Sequence, residues 1–189
     1  MDNREQRAIV PHMKNDSDIL IVGGGLNGPV LALALARSGF NVTVIDALPR
    51  DTRADPDFDG RAYALALASR RMLTALGLWD DLAPHAQPML EIKVTDGRAG
   101  EGPSPWMLHF NHAEIEEGPM GHMVEDRHLR LALLGAMDAT DGITHLAGEE
   151  VVAQTTGARG IQVTLRSGRV LTGSLLVGAD GRSSGTAAR

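Results

Sequence analysis

The chain has 189 residues, 43% of them hydrophobic and 22% charged, which is the composition of an ordinary globular protein with one domain and room for a small second lobe. A net charge of −6, with no basic stripe interleaved with aromatics, argues against a nucleic-acid partner. No cysteine is present, which excludes a disulfide framework, thiolate metal sites and thiol catalysis and fits a cytoplasmic protein.

Residues 1–16 mix charges and lack an apolar core, so they read as a flexible leader, neither signal peptide nor membrane anchor. No later stretch has the ~18 apolar residues of a spanning helix, and peripheral membrane contact is left open. Residues 18–46, DILIVGGGLNGPVLALALARSGFNVTVID, carry the most information. A continuous apolar run at 19–22 predicts a strand buried on both faces, and the β-branched run at 42–45 predicts a second. Between them, LALALA at 31–36 alternates, but alanine and leucine are strong helix formers, Pro29 suits a first turn and Gly39 suits a helix end, so a helix opening near Leu26 is expected.

The strand, glycine turn, helix and second strand make a dinucleotide site. In Gly23-x-Gly25-x-x-Gly28 the first glycine permits the tight turn, the second lets backbone approach a pyrophosphate, and the third lets helix and strand pack closely. The backbone N–H groups of Leu26 and Asn27 open the helix and point its positive dipole end at phosphate. Asp46 ends the second strand near the usual spacing of about 20 residues and can accept from ribose hydroxyls. The turn alone serves NAD or FAD equally well.

Beyond it, residues 49–59 are polar with two prolines and predict a loop. Residues 62–76 have helical composition, with Leu65, Ser69, Met72 and Leu76 on one stripe and Gly77 as the stop. A strand is expected at 90–95 and a returning one at 107–110, after a turn at Asp96-Gly97. A third helix should begin at Glu125 or Asp126 and run to Met137, with Leu129, Leu133 and Met137 facing a core. Short strands follow at 143–146, 150–155, 161–166 and 170–171, reading as a β-meander, and an apolar strand at 174–177 closes on Gly178-Ala179-Asp180-Gly181.

A plain nicotinamide-binding fold would repeat βα units more regularly. With a meander as crossover, the chain resembles the single-component FAD-dependent aromatic hydroxylases, and within them the ubiquinone-biosynthesis group. The match is carried by residues 23–28 with Asp46, by 60–77, by 124–134 and by 176–184 (LVGADGRSS), in the family's order. The resemblance implies an α/β fold: a Rossmann-like FAD-binding domain of the two-dinucleotide-binding flavoprotein type, with a β-meander crossover and C-terminally incomplete. It would occupy residues 17–189, with 88–118 as an excursion toward the substrate-binding sheet.

By the same resemblance, Gly23, Gly25 and Gly28 hold the FAD pyrophosphate and Asp46 the adenosine ribose. Arg127 reaches the phosphate or ribityl region, Arg61 lies near the flavin ring, and Asp180 with Gly181 serves FAD and the nicotinamide cofactor together. The family's serine-then-arginine continuation departs here, since Ala187 stands three residues after Ser184. Members are considerably longer than this chain, and a later Gly-Asp segment lies beyond these residues. The implied reaction is NAD(P)H-dependent hydroxylation of an aromatic ring, on a polyprenylated ubiquinone precursor or a phenol without that tail. The alternative is a nucleotide-binding or interaction module without turnover.

His109-x-x-His112 with Glu114 sits on an expected strand, where that spacing does not converge ligands, so no metal site is expected. Ser183 and Ser184 lack a nucleophile-elbow sequence, and Trp79 and Trp106 read as packing residues. No catalytic side chain is expected, because a flavin carries the chemistry and the protein positions and shields it.

Overall fold

A computed structural model describes residues 15–57, 60–97, 100, 102, 104–115, 118–158 and 160–189. Residues 1–14 of the expected leader lie outside the described residues. Its last two belong with the sheet: the Asn15 amide donates to Ser174 Oγ (3.1 Å), and Asp16 accepts from the Thr172 N–H (2.8 Å).

Strand β1 (Ser17–Val22) is the centre of the architecture. Its alternate residues serve two cores, which is why the run is apolar throughout. Ile19 and Ile21 join one cluster with Ala32 and Leu33 of α1 (Asn27–Arg37), Val42 and Val44 of β2 (Val42–Asp46), and residues of later helices. Leu20 and Val22 join the other, with Ile45 and residues of the meander. β1 is flanked by β2 on one side and by the last strand on the other, parallel to both.

The predicted loop at 49–59 contains a short helix, α2 (Arg50–Ala54); Phe58 and Asp59 lie outside the described residues. The helix expected over 62–76 is two elements, β3 (Ala62–Ala66) and α3 (Leu67–Ala75). Alanine content suggested helix, but AYALA alternates at a period of two and pairs antiparallel with a strand the sequence reading did not identify. The expected helical stripe shifts accordingly: Leu73 and Leu76 are buried, while Met72 is 45% exposed. Gly77 does end α3, at φ +69°, with its N–H bonded to the Thr74 carbonyl and that of Leu78 to Leu73, the two bonds of a Schellman cap.

After α4 (Trp79–Leu82), β4 (Ala86–Met89) pairs with the strand that also receives β3, and β5 (Glu91–Thr95) pairs with β6 (Met107–Asn111), as expected for the hairpin. The strand common to β3 and β4 is β7 (Gly121–Glu125), which runs directly into α5 (Asp126–Asp138). Leu129, Leu133 and Met137 of α5 are buried, as their spacing predicts. Trp79 packs against the core with its ring edge on His122 (4.9 Å), whereas Trp106 is 83% exposed and is no packing residue.

β8 (Ile143–Ala147) was expected to open the meander; it lies parallel to β2 at the sheet edge instead. The meander is β9 (Val151–Gly157), β10 (Gly160–Leu165) and β11 (Val170–Gly178), and the two short strands expected at 170–171 and 174–177 are one. β11 runs antiparallel to β10 through its first half and parallel to β1 through its second, Gly173 facing both Ile161 and Ser17. The resulting order is β8-β2-β1-β11-β10-β9. A four-residue helix, α6 (Gly185–Ala188), follows.

The shifted stripe gives a direct check. Leu73→Ala should cost about 2–5 kcal/mol in urea unfolding, and Met72→Ala less than about 0.5 kcal/mol.

Candidate functional site

The carboxyl ends of β1, β2 and β11 meet at one place, where the chain goes from β1 to β2 on one side and reaches β11 from β10 on the other. Such a switch point opens a crevice in α/β sheets. Here it is a cleft of about 460 Å³ lined by Gly23, Gly25, Asp46, Arg53, Glu149, Glu150, Ala179, Asp180 and Gly181 among others.

Its floor is backbone packed on backbone. A Cβ on Gly23 (φ +116°) would come within 2.3 Å of the Ala179 carbonyl oxygen, and one on Gly28 within 1.9 Å of the Gly23 carbonyl oxygen. Hydrogen bonds from Gly23 N to Ile45 O (2.8 Å) and from Ala179 N to Val22 O (2.7 Å) tie the three strand ends together. At Gly25 a Cβ would meet nothing within 4 Å, so this glycine faces open space in the cleft. The start of α1 has neither a side-chain cap nor an acid in its first turn, which leaves the N–H groups near Leu26 and Asn27 to an incoming acceptor.

Asp46 is buried, 2% exposed, and its carboxylate is gripped by Arg53 of α2: Nε to Oδ2 at 2.7 Å and Nη2 to Oδ1 at 2.9 Å. The Leu48 N–H also donates to Oδ1 (3.2 Å). Gly24, the glycine between the motif positions, is required here, because a Cβ would lie 2.2 Å from Asp46 Oδ2. Neither Arg53 nor Gly24 was expected. Arg53 was hidden in a charge run that reads as solvated loop, and its signal was a cation seven residues past the acid.

Asp180 opens the turn after β11 and folds onto the start of α6. Oδ1 accepts from Ser184 Oγ (2.5 Å), and Oδ2 accepts from the Thr186 N–H (2.9 Å) and hydroxyl (3.0 Å). Burial works against its ionisation, but the hydrogen bonds from Ser184 and Thr186 outweigh it and hold the carboxyl below its ordinary 3.8. Gly181 follows at φ +86°.

Arg61 and Arg127 do not line this cleft. They stand where β3, β7 and α5 join: the Arg61 carbonyl accepts from the Asp126 N–H (3.1 Å), Arg61 Nη2 lies 3.7 Å from Asp126 Oδ2, and Arg127 pairs with Glu125 at 2.7 Å. Arg127 Nη1 also reaches the Pro56 carbonyl (3.5 Å). His109 lies 3.6 Å from Glu91, and His112 Nδ1 3.0 Å from the Leu90 carbonyl; among the described residues no group of three potential ligands is placed to hold a metal ion.

A sheet with a parallel half that ends in a glycine-floored crevice, helices packed against it and a β-meander continuing it defines a dinucleotide-binding domain of the flavoprotein kind. The FAD binding domain family matches residues 16–189, and the chain belongs to it. A ubiquinone hydroxylase, UbiL, of Rhodospirillum rubrum is 44% identical over 168 residues, covering 89% of this chain and 38% of that protein. The 3-demethoxyubiquinol 3-hydroxylase of Escherichia coli is 34% identical over 170 residues, covering 89% and 42%. The crystal structure of PqsL, a probable FAD-dependent monooxygenase from Pseudomonas aeruginosa, superposes with a TM-score of 0.69 at 26% identity, covering 92% of this chain and 44% of that one. The chain thus spans about two fifths of the length of the curated relatives it matches.

The two motif glycines separate cleanly in experiment. Gly28→Ala should destabilise the fold by about 1–3 kcal/mol through overpacking, while Gly25→Ala should leave thermal unfolding nearly unchanged. Asp180 makes stability depend on acid. Its depressed pKa contributes stability that is present above the ordinary 3.8 and is lost as pH falls below that value through the lowered one, so an Asp180→Asn variant should show a flatter loss of unfolding free energy on acidification below 3.8 in urea titrations.

Proposed function

We propose that this chain is the FAD-binding part of a flavin monooxygenase that hydroxylates an aromatic ring, with NAD(P)H as electron donor. The observation that carries the reading is the glycine turn, filled by backbone at Gly23 and Gly28 and open at Gly25, beside a buried acid. Backbone at Gly25 and the N–H groups of Leu26 and Asn27 receive the pyrophosphate, and Asp46 receives the adenosine ribose. Asp180 and Gly181 close the far wall at the end of β11 and are assigned to FAD and the nicotinamide cofactor. Arg61 and Arg127 serve the cofactor beyond its phosphates, from the junction of β7 and α5.

FAD, when bound, supplies the electron transfer and oxygen chemistry, and the chain's residues bind, orient and shield it. No catalytic side chain is assigned. The names of the relatives support a ubiquinone precursor as substrate, and in this reading that precursor carries a prenyl tail. Such a substrate resides in membrane, so the whole protein is read as cytoplasmic with peripheral membrane contact; no helix among the described residues is long and apolar enough to cross a membrane.

Residues 88–118 contribute to the substrate side in this reading. In the β5–β6 hairpin, Ile92 faces Phe110 and Val94 faces Leu108, and all four are exposed, while Glu91, Lys93 and His109 share the opposite face. That amphipathic ribbon has the pattern of a wall built to cover something apolar. A second reading, a nucleotide-binding module without turnover, is favoured for the 189 residues by themselves because they span only two fifths of their relatives.

Added FAD should co-elute with the purified chain in gel filtration and give it a flavin absorption spectrum. Gly25→Val should weaken that binding by roughly tenfold or more. NADPH oxidation stimulated by a prenylated phenol should appear only when the rest of a full-length relative is joined to it. A colourless chain that takes up no FAD overturns the proposal.

A further inference from the structure

The acceptor capacity of Asp46 is spent within the protein. Each carboxylate oxygen offers about two lone-pair positions. Oδ1 accepts from Arg53 Nη2 and from the Leu48 N–H, and Oδ2 accepts from Arg53 Nε. The remaining side of Oδ2 lies against Gly24, where even a methyl group would come within 2.2 Å. A ribose diol donates two hydrogen bonds, and a carboxylate held by this fork has no pair of positions to offer them.

We infer that Arg53 competes with the ribose hydroxyls of a dinucleotide for Asp46 and thereby sets the affinity of the adenosine end of the cleft. The inference rests on the reading of Asp46 as the ribose acceptor. Binding at that end requires the guanidinium to release at least one carboxylate oxygen.

The surroundings make this release feasible without unfolding α2. The backbone carrying Arg53 is held separately: Arg130 Nη1 donates to the carbonyls of Arg53 (2.9 Å) and Thr52 (3.4 Å), and Arg130 Nε is fixed on the buried Asp126 (2.6 Å). The Arg53 side chain can therefore turn away about its own bonds while α2 stays docked on α5. It is 21% exposed and lines the cleft together with Glu149, which offers a carboxylate to a displaced guanidinium, and Glu150, whose carboxylate is already paired with Arg166. Breaking a buried ion pair by deleting one partner is costly because a bare charge remains. The diol avoids this, since its two O–H donors replace the N–H donors that leave. Arg53 thus keeps the Asp46 carboxylate hydrogen-bonded until a ligand with the right pair of hydroxyls arrives.

The test uses ADP as probe, titrated calorimetrically into the purified chain. Arg53→Met should bind ADP about tenfold more tightly than wild type, Arg53→Lys should fall between them, and the gain should vanish in an Asp46→Asn background. A residue that merely supported Asp46 would give the opposite sign. Equal or weaker binding by Arg53→Met, with wild-type circular dichroism and thermal unfolding, overturns the competition; if that variant does not fold, equal or weaker binding by Arg53→Lys does so. In either case a loss of affinity in Asp46→Asn alone leaves Asp46 as the ribose acceptor. ADP binding undiminished by Asp46→Asn, or absent from every variant, removes the ribose assignment and the competition together.

Discussion

Backbone meets backbone at the ends of β1 and β11, and the site depends on that contact. Gly23 lies so near Ala179 that a single carbon would collide with the carbonyl, and Gly28 brings α1 just as near to Gly23. The strand end, the turn and the helix start are thereby held in one register, with the helix N-terminus over the crevice. Only glycine satisfies both contacts, and the same packing leaves Gly25 facing outward into free space. Close packing and open cleft are separated by position within a six-residue motif.

A second constraint is electrostatic and runs along the back of the cleft. Asp46 is held by Arg53, the backbone of Arg53 by Arg130, Arg130 by Asp126, and Asp126 lies within 3.7 Å of Arg61. Arg50 pairs with Asp138 at the other end of α5. The network fastens α2 to α5 and connects the end of β2 with the place where β3 and β7 meet α5. A carboxylate as buried as Asp46 needs such partners in any state of the protein, because a bare charge at that depth is costly. In the proposed competition, what exchanges on binding is the identity of the donors.

The core of this arrangement was legible in the sequence because it follows from local rules. The doubly buried strand, the glycine spacing, the acid at the end of β2 and the Leu129, Leu133, Met137 stripe each depend on residues close together in the chain. The misreadings occurred where distant pairing decided. AYALA at 62–66 was drawn into a sheet by β7, and β8 was pulled from the expected meander to the parallel edge by β2. Arg53 escaped notice for the same reason: its importance comes from meeting Asp46 in space, and nothing in the polar run around it distinguishes it from solvated charge. The roles of Arg61 and Arg127 came from resemblance alone, and both stand outside the cleft that holds the glycine turn.

The central claim is that a flavin dinucleotide docks on the turn at Gly23–Gly28. The most direct measurement is an FAD titration of the isotopically labelled chain followed by its backbone amide resonances. The account predicts that the largest saturable shifts fall on Gly23, Gly25, Leu26 and Asn27, with Asp46 and Gly181 also responding. Saturable shifts confined to other surfaces, such as the shallow hollow beside Arg70 and Arg71 on α3, with the turn unmoved, would contradict it.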